Sequence, residues 1–408
     1  MKKTIKLAVV AALALGATSA FATNGSALIG VGAKARGMAG TGIGMTHGAE
    51  SALVNPALIT SVKGTEVSFG GTLFMPDVKN TNDMTGLGGT TATNTSAADM
   101  NVIPSVSIAS KVTDNFYMGV GIWGTAGMGT DYRDADAATD TQLQMVTNLQ
   151  LMQFGLPLAY KMDSFSVAVT PILQYGALDI NYNFGGNTGM GIAQDLAFGY
   201  NLGLSYEMSG LTVGAVYKSQ IDMQYKGFDA VVTPFTGGAG YTNDKLSTPA
   251  EIGIGASYAM GEHTVAIDYK QIKWSSCKGY EDFEWDDQNV IAIGYEYATN
   301  SWALRAGYNY ASSPISEQTY AGANSANLAA GVVNTFNLLG FPAIVESHYA
   351  IGATYNVSEV TSLDLGLTYA PEVTNTYENF NAAFGGGAGD MTVKHSQTGV
   401  SAQVNFAF

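Results

Sequence analysis

Over residues 400–408 the side chains alternate. Val400, Ala402, Val404, Phe406 and Phe408 share one parity, and Ser401, Gln403 and Asn405 the other. A strand sends these two sets to opposite faces. The same split runs through Trp302, Leu304, Ala306, Tyr308 and Tyr310 against Ala303, Arg305, Gly307 and Asn309. It recurs with Phe198, Tyr200, Leu202, Leu204 and Tyr206 against Asn201, Ser205 and Glu207, and with Leu363, Leu365, Leu367 and Tyr369 against Asp364 and Thr368. Fourteen such strands are predicted, near 64–79, 100–112, 116–127, 149–162, 165–181, 196–208, 211–226, 248–260, 263–274, 288–299, 301–312, 345–357, 361–374 and 393–408. Short polar turns join them at one end; long polar connections near 80–99, 128–148, 227–247, 313–344 and 375–392 join them at the other. This pattern predicts an all-β chain: a transmembrane antiparallel β-barrel of about 14 strands over 64–408, one face in lipid and the last strand pairing back on the first. A soluble β-sandwich alternates too, but does not sort its loops by length.

Composition supports that picture. Charged residues make up only 12% of the chain, against 50 glycines, 22 tyrosines and 17 phenylalanines. A net charge of −15 argues against nucleic acid as a partner. Residues 1–22 carry Lys2, Lys3 and Lys6, an apolar run and Ala20-Phe21-Ala22, the pattern of a cleaved secretory signal. The lone Cys277 allows no internal disulfide. Residues 23–63 do not alternate and are rich in Gly and Ala. Fourteen strands enclose more space than side chains alone fill, so this segment is expected inside the lumen as a plug.

The segments "GAKARGMAG" and "GAESALVNPALIT" resemble the N-terminal hatch of the FadL/TodX family of outer-membrane transporters for long-chain fatty acids and other hydrophobic molecules. Asn55, Pro56 and Ala57 match the family's Asn-Pro-Ala motif, although Leu58 stands where the family usually has Gly. "IPSVSIASKVTDNFYMGVGIWGTAG", "TPAEIGIGASYAMGEHTVAIDYKQIKWSS", "WALRAGYNYASSPI" and "HYAIGATYNVSEVTSLDLGLTYA" extend the likeness over most of the chain. The resemblance implies adsorption of ligand to the loops, binding in the lumen, a shift of the hatch and lateral exit at a kinked third strand. Gly119, Gly121, Gly124, Gly127 and Gly129 mark that strand here; the competing reading is that they make room for the hatch.

Alternation points Glu207, Lys218, Asp268, Lys270, Glu296, Arg305 and Asp364 inward. Such groups either pair within the wall or receive the carboxylate of an amphipathic ligand. Arg305 leads the ligand-binding candidates, since a planar guanidinium grips a carboxylate through two hydrogen bonds, with Lys218 and Lys270 behind it. In the loop 313–344, Leu328, Val332, Val333, Phe336, Leu338, Leu339 and Phe341 form either a greasy adsorption platform or packing between loops. His47, His263, His348 and His395 are dispersed without HExxH spacing, and no G-x-S-x-G elbow or phosphate-binding G-x-x-x-x-G-K-[ST] occurs. Neither an enzyme nor a metal or other cofactor is therefore expected. Expected partners are a hydrophobic ligand, outer-membrane lipid and, from the terminal Phe408, the barrel-assembly machinery; the chain is expected to be a monomer. Two rival classes stay open: a general diffusion porin and a structural or adhesive surface protein.

Overall fold

Long runs in which every second residue is aliphatic or aromatic form strands, because the pleat then buries or immerses one whole face. In the computed structural model, which describes residues 23–135, 140–236, 243–319, 325–387 and 389–408, these runs become fourteen barrel strands. The predicted signal segment 1–22 and the side chains of 325–329, including Leu328, lie outside the described residues. The strands are β1 Thr65–Asp83, β2 Asn101–Lys111, β3 Phe116–Met128 and β4, which runs as Val146–Gly155 and Leu158–Met162. They continue as β5 Phe165–Asn183, β6 Ala193–Met208, β7 Leu211–Lys218, β8 Glu251–Met260 and β9 His263–Ile272. β10 Gln288–Ala298, β11 Trp302–Ala311, β12 Ser347–Asn356, β13 Thr361–Glu378 and β14 Asp390–Ala407 complete the set.

Each strand pairs antiparallel with the next, and β14 returns to β1 with Ala407 opposite Glu66 and Met391 opposite Asn82. Closure leaves no continuous edge for lipid to meet. Outward residues are apolar, with Phe198 82% and Leu365 59% exposed, whereas Asn201, Asp268, Arg305 and Asp364 on the other parity are buried.

Strand lengths differ from the sequence expectation at the outer end. β1, β13 and β14 run further, to Asp83, to Glu378 and from Asp390. The tips of β1 and β13 alternate Thr and Asn rather than aliphatics, and cross-strand hydroxyl pairs such as Thr81–Thr93 (2.6 Å) and Thr376–Thr392 (2.8 Å) support the extensions. β7 stops at Lys218, eight residues short of the predicted end. Ile221, Met223 and Tyr225 keep the two-residue period, but they are buried in a loop core, and the stretch holds only isolated bridges, at Ile221 and Gln224.

Of the two readings of the loop 313–344, the described side chains follow packing between loops. Phe336, Leu338, Leu339 and Phe341 are fully buried, not an exposed platform. They belong to, or follow, the helix Ser325–Leu339, which is apolar nearly all round and therefore seeks burial. Phe336 stacks on Phe283 at 4.4 Å and meets Phe341 and Phe235 edge-on or tilted, while Trp285 Nε1 donates to Asn337 Oδ1 at 3.0 Å. These residues weld the outer loops together.

The N-terminal segment lies against inward-facing wall residues, backbone on backbone. A Cβ added at Gly214 of β7 would sit 1.8 Å from the Ile43 carbonyl oxygen. One at Gly307 of β11 would lie 2.4 Å from the Met38 carbonyl carbon, and one at Gly352 of β12 2.9 Å from the Gly37 Cα. At each of these places the wall has a glycine where the segment's main chain passes. Asn55 fastens the two: its Nδ2 donates to Ile43 O (2.7 Å) and to Leu204 O of β6 (3.0 Å), and its Oδ1 accepts from Ala57 N (3.1 Å). Pro56 opens the 3-10 turn Pro56–Ser61, its ring presetting the φ of the first residue. Gly307→Val is expected to unseat the segment at a cost of about 1–3 kcal/mol. Melting temperature should fall and planar-bilayer conductance rise, while Gly186→Ala, with nothing within 4 Å, changes neither.

Candidate functional site

Between the N-terminal segment and the wall lies a small, partly open cavity of about 80 Å³. Its apolar side includes Leu28, Ile29, Val31, Leu53 and Val54 of the segment and Val216, Ile221 and Val290 of the wall. Its polar end is built by register. Asn201 of β6 stands opposite Lys218 of β7, Lys218 opposite Glu251 of β8, and Gly253 opposite Lys270 of β9. Lys218 Nζ lies 3.2 Å and Lys270 Nζ 3.4 Å from the same Glu251 Oε2. Two ammonium groups thus share one carboxylate at the cavity. The amide nitrogen of Asn201, buried beside them, has no partner. Two of the sequence candidates, Lys218 and Lys270, therefore meet in one site, and Glu251 and Asn201, which the sequence reading did not name as ligand contacts, complete it.

Arg305 faces inward but lies outside this cavity. Its Nη2 pairs with Glu296 Oε2 at 2.7 Å, and its Nη1 donates to Thr354 Oγ1 at 2.7 Å. Thr354 in turn donates to Asp364. The leading candidate thus belongs to a wall network. Among the former platform residues, Val332 touches a different feature, an outer cleft shared with Leu143, Phe235 and Phe380 and capped by the exposed Phe184 and Phe384.

The third strand is irregular for a reason its glycines alone do not supply. Lys111 N bonds Gly64 O, beside β1, and Val112 N bonds Phe116 O of β3, so odd residues of β2 address β1 and even ones β3. Residue 104 is even, and it is proline, which has no N–H to give β3. The β2–β3 ladder ends at Ser105 opposite Trp123. Across the other edge, Pro157 O accepts from Gly119 N at 2.9 Å, but its nitrogen returns nothing. Beyond the break, a bulge falls between Gly124 and Ala126. There the N-terminal segment takes the place of β2: Ala27 pairs with Ala126, and Gly127 N donates to Ser26 O at 3.1 Å.

Of the gate glycines, Gly121 gives its space to the Trp123 indole, which donates to Ser107 Oγ at 2.8 Å. Gly124 abuts Ile103 and Pro104 across the seam, and Gly127 is the one bonded to the N-terminal segment. Pro104 and Pro157 stood in the sequence, but only the register reveals which strand each fails.

At the inner end, burial pushes the Glu50 carboxyl up to about 7; Lys34 counteracts this, and Asp364 adds to it. Gln403 Nε2 donates to one oxygen at 2.5 Å and the other has no partner. A raised carboxyl favours the folded state while neutral, so its contribution is full below the usual carboxylate range and lost as pH rises through about 7. The melting temperature is therefore expected to fall between about pH 5 and pH 8, and Glu50→Gln to remove most of that fall. Arg305→Ala, which leaves the part-buried Glu296 unpaired, is expected to cost about 3 kcal/mol in thermal or denaturant unfolding.

Residues 8–322 match the family model described as outer membrane protein transport protein (OMPP1/FadL/TodX). The chain is 25% identical to the 47 kDa outer membrane protein of Pasteurella multocida, with 90% of this chain and 92% of that protein aligned. It is 23% identical to the long-chain fatty acid transport protein of Escherichia coli, over 81% and 84%. Its fold is like that of a Pseudomonas aeruginosa FadL homologue (TM-score 0.69, 16% identity, 94% of this chain and 100% of that one). It is like that of the P. putida toluene transporter TodX as well (TM-score 0.66, 17% identity, 93% and 99%). With the closed fourteen-strand barrel, the family match identifies this chain as a member of the OMPP1/FadL/TodX family of outer-membrane transport proteins.

Proposed function

We propose that the protein carries hydrophobic small molecules, long-chain fatty acids or related compounds, inward across the outer membrane by passive transfer. The observation that carries this reading is the cavity itself. It is apolar along most of its wall, charged at one end, and bordered by Thr125 and Ala126 at the place where β3 parts from β2. A solute would adsorb at the outer cleft of Phe184 and Phe384 and pass to the cavity. The N-terminal segment would then act as a hatch, its residues 26–28 leaving the edge of β3 so that the solute exits sideways into lipid. A greasy molecule taking that route never crosses the periplasmic water. The names of the E. coli and P. putida relatives, a fatty acid and a toluene transporter, span the same chemical range. The paired ammonium groups of Lys218 and Lys270 favour cargo with an acidic head.

Filling the seam tests the route. Gly124→Phe and Gly127→Phe are expected to abolish uptake of a radiolabelled long-chain fatty acid by cells while the variants insert normally and still adsorb it; unchanged uptake by both would sink the lateral exit. Lys270→Gln is expected to weaken dodecanoate binding about tenfold or more, the loss of one charge-assisted bond, and to spare binding of dodecanol. Equal losses for the two ligands, read by calorimetry, would show that the lysines only hold the wall.

A further inference from the structure

The turn at residues 42–44 is the most firmly gripped part of the N-terminal segment, and the grip is charged. Asp268 Oδ2 accepts from Gly42 N at 2.7 Å and from Ile43 N at 2.8 Å. Ile43 O is taken by Asn55 Nδ2, and Gly44 O by Ser257 Oγ at 2.7 Å. Gly44 lies so close to β8 that a Cβ on it would stand 2.5 Å from the Ala256 backbone. Asn55 and Ser257 are neutral; Asp268 alone among these three clamps carries a charge.

Asp268 also lines the cavity, as do Ile43, Lys218, Glu251 and Lys270. Asp268 and Lys270 are two residues apart on one face of β9, about 7 Å along the strand. With the cavity empty, the four ionisable groups balance, two lysines against Glu251 and Asp268. A carboxylate arriving at Lys218 and Lys270 leaves the cluster with one negative charge too many, in a place from which water is largely excluded. It draws Lys270 towards itself and faces Asp268 with a like charge.

We infer that Asp268 is a positioning residue that couples occupancy of the cationic end of the cavity to release of the turn at residues 42–44. This rests on the reading of Lys218 and Lys270 as the seat of an anionic head. Entry of the head weakens the Asp268 clasp, the turn lifts from β8, and the rest of the segment gains freedom to move. An uncharged solute of the same length fills the apolar side without disturbing the clasp. The cavity therefore distinguishes filling from unlocking, and acidic cargo does both.

The test is hydrogen exchange on the full-length protein in detergent, followed by mass spectrometry over peptides containing residues 42–44, with sodium dodecanoate and with dodecanol as probes. Dodecanoate is expected to speed exchange at these amides about tenfold, within the usual range of coupling between sites, and dodecanol to leave it unchanged. Lys270→Gln should keep the resting protection and lose the response. Asp268→Asn, which keeps the acceptor oxygen and removes the charge, should show faster resting exchange that dodecanoate no longer alters. Calorimetric binding of dodecanoate without faster exchange in the unaltered protein overturns the coupling, as does equal acceleration by both probes; this arm decides even if Asp268→Asn does not fold. Absence of dodecanoate binding overturns the anionic-head reading, and the coupling falls with it.

Discussion

In hydrocarbon every backbone N–H and C=O must find a partner within the protein. The barrel meets this demand by closing β14 on β1, and the demand is strictest where the chain departs from regularity. Pro104 and Pro157 withhold donors from the two edges of β3, and a free strand edge in a membrane wall cannot simply be left. The N-terminal segment answers part of that deficit with Ser26 and Ala27. The segment that lies against the inward-facing wall residues thus also mends the wall. Its short hairpin is held from behind by Trp274, whose ring leaves no room for a Cβ at Gly25, where φ is +65°, and by the Ser26–Tyr280 hydroxyl contact at 3.3 Å.

Much of this was legible in the sequence because a two-residue period survives without knowledge of partners. The lipid face of β11, from Trp302 to Tyr310, and that of β6 follow directly from parity. The same parity put Lys218, Lys270 and Arg305 in the lumen. Parity says nothing of neighbours, however. Whether an inward cation is spare or engaged depends on the residue one strand away, and that is set by register. Glu296 stands opposite Arg305 and neutralises it, while Lys218 and Lys270 divide a single Glu251. The loop helix shows the other limit. An apolar run such as that around Phe336 looks alike in sequence whether it meets water or other loops, and here the outer connections bury it.

The glycines were read in the sequence for what they weaken. In the wall, several mark where the N-terminal segment touches. Gly203, Gly214, Gly307, Gly352 and Gly366 lie on five different strands, and each faces part of the N-terminal segment. In β3, by contrast, Gly121 accommodates an indole and Gly124 a neighbouring strand. One residue type therefore does two jobs, told apart only by what stands within reach of the missing Cβ.

The wall grips the segment through main-chain contacts and through a few polar side chains, Asn55 and Glu50 among them. Ile29, Val31, Leu53 and Val54 turn towards the cavity instead. Their size and polarity shape the cavity rather than the polar bonds that hold the segment. A few substitutions in one short stretch would therefore reshape the cavity while leaving the barrel as it was.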